Sequence, residues 1–325
     1  MLVKDRVLEA LETHRGEFFS GEALAQQLQV SRNAVWKAIS QLRQTGYPIR
    51  AISNRGYCLE ANSTMLSPQS VSRHLTVPGL TIEVEPEVSS TNNVLRRRAE
   101  DGAPEGLALI AERQTAGRGR RDHGFFSPPD SGLYLSFLLR PQLSTRDSLC
   151  LTTCAAVAVA LAIEECAGIP AQIKWVNDVF CQDKKVCGIL TEAALDLETG
   201  GLQYAIVGIG VNLYPPTGGF PPELPEAGTV FSSRPQGLEG RSQLAGSILN
   251  HFFAFYPNLE QKPFFQDYRQ RCLVLGQEIT ILEQGQTRPA VALDLEEDFS
   301  LRVREADGTI RSLSSGEVRV RPARL

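Results

Sequence analysis

Apolar residues recur at three- and four-residue spacing near the start of the chain, the signature of helices with one buried face. Val3, Val7, Leu8 and Leu11 make one such stripe. Leu24 and Leu28 make a second within residues 21–28, where Ser20 stands in the N-cap position. Val35, Ile39 and Leu42 make a third from residue 32 to about 44, with Ser31 as its cap and Gly46 just past its end. Residues 48–59 then alternate like strands around an Asn54-Arg55-Gly56 turn. Helix, turn, helix and wing predict a winged helix-turn-helix domain over residues 1–62.

The pattern changes after a polar stretch at 60–68, read as a linker. Strand runs at 80–84, 108–111, 133–138, 173–175 and 204–207 mix with helices near 91–101, 148–167 and 241–257. They do not alternate strictly, so residues 63–270 predict an α+β mixed sheet rather than a doubly wound one. Residues 149–163 are apolar but too short to span a bilayer, which points to a buried helix. The Pro- and Gly-rich run 213–225 reads as a mobile loop. From residue 271 to 325, short strand runs (274–282, 291–294, 299–305, 309–313) lie between Gly and Asp turns and suggest a small SH3-like β-barrel. The fold class is therefore α+β and multidomain.

Composition narrows the partners. The net charge is −4 over 325 residues, so any nucleic-acid surface must be local. Residues 31–57 supply one: Arg32, Lys37, Arg43, Arg50 and Arg55 occur with no acid among them. With Ser31, Asn33 and the off-stripe Trp36, these are the candidate DNA contacts. A protein-binding module with a solvated basic face is the alternative. Seven cysteines, none in a Cys-x-x-Cys pair, argue against a disulfide framework or a zinc knuckle and suit a reducing cytoplasm.

Residues 114–129 carry the most chemistry. Gly117-Arg118-Gly119-Arg120-Arg121 interleaves flexible backbone with fixed positive charge, and Phe125-Phe126-Ser127-Pro128 follows. Such a loop is suited to wrapping an anion. It lacks the Gly-Lys-Ser/Thr ending of an NTPase P-loop. On composition alone a solvated surface loop is the favoured reading; the interspersed glycines and the Lys174-Trp175-Val176-Asn177-Asp178 segment turn it toward a binding loop. Gly208-Ile209-Gly210-Val211-Asn212 is a poor dinucleotide fingerprint, since its third glycine is missing. His123, alone in its loop, reads as a surface residue, and no metal cage is visible.

The 114–129 loop resembles the ligand-binding loop of biotin protein ligases. Ser89-Ser90-Thr91-Asn92 upstream agrees, as do Lys174-Trp175-Val176-Asn177-Asp178 and Lys184-Lys185-Val186-Cys187-Gly188-Ile189-Leu190 downstream. The first sixty residues resemble the DNA-binding end of the bifunctional form, which is both ligase and biotin operon repressor. The resemblance implies a class II synthetase-like centre. There, biotin's carboxylate attacks the α-phosphate of ATP, and a lysine of a biotin carboxyl carrier protein then takes the biotinyl group.

It also implies site residues. Arg118, Arg120 and Lys185 would grip the anionic junction; Asp178, read from its own position rather than from the resemblance, would hold magnesium or orient the incoming lysine, with a turn-capping Asn177-Asp178 pair as the equal alternative. Ser90, Thr91, Asn92, Gln114, Gly117 and Gly188 would complete the biotin pocket with Arg118, Arg120 and Lys185. Arg120, Arg121, Asn177, Gly210 and Asn212 would hold the adenylate, under Phe220 or Phe231. Mg2+, operator DNA and a homodimer formed when the adenylate is bound complete the implied partners; no membrane is implied. Asp122-His123-Gly124-Phe125 and Val176 depart from the family pattern, which puts adenylate retention and regulation in question. The rivals are a biotin-sensing repressor without turnover, a ligase whose first domain no longer binds DNA, and a lipoate ligase.

Overall fold

Ser20 Oγ accepts the Ala23 N–H at 3.0 Å and Ser31 Oγ accepts that of Ala34 at 3.1 Å, so both expected caps form. They start helices α2 (Gly21–Leu28) and α3 (Arg32–Gln44), which pack with α1 (Val3–Thr13). The predicted stripes meet in one small core of Val7, Leu8, Leu11, Leu24, Leu28, Val35, Ile39 and Leu42. Strands β1 (Ile49–Ile52) and β2 (Gly56–Leu59) pair antiparallel as the wing. Phe19 adds a third rung, exchanging two 2.8 Å backbone bonds with Tyr57. The structure is a computed structural model that describes residues 2–144, 148–196, 200–234, 240–283, 286–314 and 317–320.

The stretch at 60–68 is more tightly held than a linker. Glu12 on α1 is only 1% exposed, and its Oε2 lies 2.6 Å from Arg15 Nε. Arg15 donates to the Ser63 carbonyl at 2.8 Å, and Arg73, at the end of α4 (Pro68–Ser72), lies 3.8 Å from Glu12. A carboxylate so buried persists only when paired. Its partners belong to both sides of the junction, so the N-terminal unit is seated on the segment that leads into the central sheet.

The centre is a seven-stranded sheet in the order β3-β4-β5-β9-β8-β7-β6. The strands are β3 (Thr81–Val88), β4 (Leu107–Gln114), β5 (Gly132–Leu139), β6 (Gln172–Lys174), β7 (Asp178–Cys181), β8 (Lys184–Leu195) and β9 (Leu202–Asn212). Only β3 and β4 run parallel, joined through helix α5 (Thr91–Glu100), so the sheet is mixed as expected. Alternation along β4 assigns the two faces. Ala108 and Ile110 join the large core with helices α6 (Ser148–Ala167) and α7 (Gly240–Phe255); Leu107 and Leu109 join the smaller core under α5. Helix α6 continues past the apolar run, and its residues 149–167 are long and apolar enough to cross a membrane, yet it lies within the core with Leu151, Ala155 and Val159 fully buried.

Beyond helix α8 (Phe265–Arg271), five antiparallel strands form a second sheet. These are β10 (Glu278–Glu283), β11 (Gln286–Leu295), β12 (Leu301–Glu305), β13 (Ile310–Leu313) and β14 (Glu317–Val320), in the order β13-β12-β11-β10-β14. Trp175, just after β6, donates its indole N–H to the Phe299 carbonyl at 2.9 Å, and Leu273 N–H donates to the Ile173 carbonyl at 3.0 Å. The two sheets are thereby joined beside the Asn177-Asp178 segment.

Candidate functional site

One cleft of about 490 Å3 opens where the start of α5, the loop after β4, the β6–β7 turn and the middle of β8 and β9 converge. Its first wall is neutral and polar. Gln114 Oε1 accepts the Thr91 N–H at 2.9 Å, and Gln114 Nε2 donates to Ser127 Oγ at 2.9 Å. Asn92 Oδ1 accepts from the fully buried Ser136 hydroxyl at 2.7 Å. A Cβ on Gly208 would sit 2.1 Å from that Asn92 oxygen, so only glycine lets the amide reach the sheet. Ser90 occupies the N-cap position of α5 but makes no side-chain cap bond; it lines the cleft instead. A ring bearing uncharged donors and acceptors suits this wall, because desolvated polar groups need partners.

The floor is built from absent side chains. Gly188 and Gly210 face each other across β8 and β9, and a Cβ on Gly210 would come within 2.4 Å of the Phe125 ring. Phe125 therefore lies flat on backbone, with Tyr134 set edgewise at 6.4 Å. Tyr134 donates its hydroxyl to the Pro128 carbonyl at 2.7 Å, and burial pushes its pKa up to about 12, so it remains a donor.

The arginine loop is a miniature hairpin. Gly119 N–H donates to His123 O at 2.7 Å, and Phe125 N–H donates to Gly117 O at 2.8 Å. A Cβ on Gly117 would meet the Phe125 carbonyl at 2.4 Å, so the return strand requires glycine there.

Lys185 and Arg120 gather at the far end and Arg118 beside the polar wall, each held by a neighbour. Lys185 Nζ lies 2.7 Å from Asp178 Oδ1. Arg120 donates to Asn177 Oδ1 at 3.0 Å, and Asn177 Nδ2 donates to the Ile189 carbonyl at 2.9 Å. Arg118 donates to Asn93 at 3.0 Å and to both Glu192 oxygens at 2.8 and 3.1 Å. The segment carrying Glu223, Leu224 and Glu226 crosses this end, with Glu226 O accepting the Lys185 N–H at 2.8 Å. Neutral polar wall, flat floor and clustered cations together can seat a molecule with an uncharged heterocycle at one end and anionic groups at the other.

Residues 84–212 match the Biotin/lipoate A/B protein ligase family, and residues 4–58 match an HTH domain. The bifunctional ligase/repressor BirA of Bacillus subtilis (strain 168) is 37% identical over 228 residues, which is 70% of either chain. This chain belongs to the family of bifunctional biotin ligase/repressors. The BirA protein of Escherichia coli (strain K12) is 34% identical over 198 residues, 61% of this chain and 60% of that one. The biotin protein ligase from Aquifex aeolicus, solved in complex with biotin and ATP, superposes with a TM-score of 0.60 at 29% identity, covering 74% of this chain and 99% of that one.

Within this ligase/repressor chain, the cleft brings together Ser90, Thr91, Asn92, Gln114, Arg118, Arg120, Arg121, Asn177, Asp178, Lys185, Gly188 and Gly210. Two expected members stand apart. Gly117 serves the base of the hairpin, and Asn212 ends β9 opposite Gly132, where its carbonyl accepts the Val230 N–H at 3.0 Å. Neither aromatic candidate for the adenine lid lines the cleft: Phe231 stacks on Tyr214 at 5.8 Å, and Phe220 packs against Phe126 at 6.3 Å. Phe125 and Trp175 line it instead. Sequence reasoning missed Ser136 and Glu192. Ser136 carried a signal, as a serine in the otherwise apolar and aromatic run of β5. Exposed His123 does border the cleft.

The N-terminal unit presents a second concavity between α3 and the wing, bordered by Arg32, Asn33, Trp36, Asn54 and Tyr57. Trp36 is 57% exposed rather than packed under the wing. Lys37 and Arg43 are exposed on the same helix, and Arg55 sits 4.6 Å over the Phe18 ring. Ser31 spends its oxygen on the helix cap.

Proposed function

We propose that this chain activates biotin with ATP to biotinyl-5′-AMP, releases pyrophosphate, and transfers the biotinyl group to one lysine of a biotin carboxyl carrier protein. The observation that carries this reading is the cleft's polarity, a neutral hydrogen-bonding wall of Thr91, Asn92, Gln114 and Ser127 set against the cations Arg118, Arg120 and Lys185. A lipoate ligase needs no such wall for an apolar dithiolane. Two anions must meet in the first step, and preorganised cations lower that barrier. In this reading Asn92, Thr91, Ser90 and Gln114 hold the ureido ring beside the Phe125 ring that covers Gly188 and Gly210. Arg118, Arg120 and Lys185 hold the carboxylate and α-phosphate, while Arg121 and Asn177 address the nucleotide.

Magnesium enters as Mg–ATP. Phosphate-bound Mg2+ usually takes only one or two protein carboxylates. Asp178 is the carboxylate beside Lys185 and fits that need. The same group suits the second step. A free lysine of pKa ~10.4 is neutral in only about one molecule in a few thousand at pH 7. An adjacent carboxylate can take its proton as it attacks.

We assign residues 1–62 to operator binding through Ser31, Arg32, Asn33, Trp36, Lys37, Arg43 and Arg55, residues 63–270 to catalysis, and residues 271–325 to a supporting role. Adenylate occupancy orders the loops around the cleft and favours a homodimer through the sheet edge at β3, since the other edge, β6, is bridged by Cys272. The seven free cysteines suit a reducing cytoplasm.

One incubation tests the chemistry. The pure protein is mixed with Mg–ATP and either biotin or lipoate, then quenched with hydroxylamine. Biotinyl hydroxamate with stoichiometric pyrophosphate is expected. Lipoyl hydroxamate alone, or biotin binding without pyrophosphate, overturns the proposal.

A further inference from the structure

A carboxylate beside a site for anions is unfavourable unless it does something else there, because like charges repel. Glu192 is such a group. It lies on β8 behind the cleft wall and is 20% exposed. Its contacts explain its presence. Oε1 lies 2.8 Å from Arg118 Nη1 and also pairs with Arg96; Oε2 lies 3.1 Å from Arg118 and accepts the Asn92 Nδ2–H at 2.9 Å. Two guanidiniums on one carboxylate leave the cluster net positive, so the cleft keeps its attraction for anions.

We propose that Glu192 is a positioning residue for biotin activation, acting through Arg118 and Asn92 together. This rests on the reading of the cleft as the biotin site. The carboxylate ties the arginine hairpin to the ring wall, two parts that are 26 positions apart in sequence by Asn92 and Arg118. Asn92 Nδ2 points to Glu192 and to the Leu190 carbonyl at 3.3 Å, which turns its Oδ1 toward Ser136. Arg118 is fixed in advance by Glu192 and Asn93, so its freedom is not lost again when ligand binds. Glutamine cannot replace this, since its amide must point N–H groups at one of the donors Glu192 now accepts from.

The test is a double-mutant cycle with Glu192→Gln and Arg118→Ala on the full chain, read as KM for biotin, KM for ATP and kcat for pyrophosphate release. Wild-type turnover with biotin is checked first; its absence refutes the underlying site reading and not this inference alone. Glu192→Gln is expected to raise the biotin KM and lower kcat, each at least fivefold, with the ATP KM within twofold. In the Arg118→Ala background the same substitution should have at most half that effect on a logarithmic scale. If Glu192→Gln does not fold, Glu192→Asp takes its place, since the shorter arm also breaks the 2.8 Å contact. An unchanged or lowered biotin KM would mean that Glu192 merely repels substrate, and additive effects would mean that it does not act through Arg118. Either result overturns the proposal.

Discussion

Trp175 donates its indole N–H to the carbonyl of Phe299 across 2.9 Å, and both groups are buried. The bond joins the segment that leads into Asn177 and Asp178 to the second sheet. Trp175→Phe keeps the ring and removes the donor, leaving a buried carbonyl without it, at a cost of about 1–3 kcal/mol. The thermal midpoint should fall by about 1–2 °C per kcal/mol in a chain of this length. Differential scanning calorimetry reads the shift, and an unchanged midpoint refutes the role of this bond.

Arg120→Ala and Lys185→Ala each remove one cation from the far end of the cleft. Each should lower kcat for pyrophosphate release by about 10²–10³, the usual loss for one electrostatic stabiliser. Circular dichroism should stay unchanged, since both side chains are only partly buried. Full-speed activation of biotin in both variants would remove the anion-gripping role.

Gly208→Ala places a methyl group where Asn92 Oδ1 now lies, 2.1 Å away. The amide must turn, and overpacking of this kind costs about 1–3 kcal/mol. The KM for biotin should rise about tenfold while the KM for ATP stays near the parent value, because the clash is confined to the ring wall. Steady-state kinetics with each substrate varied in turn would show it; equal changes in both constants count against this assignment.

Lys37→Ala and Arg55→Ala should each weaken binding to random duplex DNA and reduce the slope of log affinity against log salt by about one. Trp36→Ala removes no charge and should leave that slope alone. Fluorescence anisotropy across a salt series distinguishes these outcomes. A flat salt response in the parent protein would reassign the basic face to another partner.

Asp294 receives two hydrogen bonds from Arg269, at 2.7 and 3.0 Å, and this pairing holds its carboxyl below the ordinary value of 3.8. A carboxylate whose folded pKa is depressed stabilises the fold above its unfolded pKa and loses that contribution as the pH falls through the folded value. Asp294→Asn should therefore lower the midpoint at pH 7, and the difference from the parent should shrink as the pH falls below the ordinary carboxyl value. Melting curves from pH 2 to 7 check the crossover. A constant difference across that range contradicts it.

Local signals made much of this fold legible. Ser20 and Ser31 announced two helices because a cap and its stripe lie within one stretch of chain. The hairpin of β7 and β8 stayed hidden. Its turn places Gln182 at φ 49° and Asp183 at φ 61°, a left-handed pair normally marked by Asn-Gly, so the usual cue was missing. Pro289 concealed the first half of β11 in the same way. The site divides similarly. Its cations and polar wall could be named from motifs, whereas the seat of Phe125 depends on Gly188 and Gly210, which become neighbours only through strand register. Glu192 carried no motif, because its role exists only in what it touches.

The hairpin that runs from Gly117 to Phe125 is closed by two backbone bonds, Gly119 N–H to the His123 carbonyl and Phe125 N–H to the Gly117 carbonyl. Its aromatic foot is planted on bare backbone, and its crown bears Arg120 and Arg121. A crown so tied shares one seat with its foot, so a substitution that unseats the Phe125 ring displaces both guanidiniums at once.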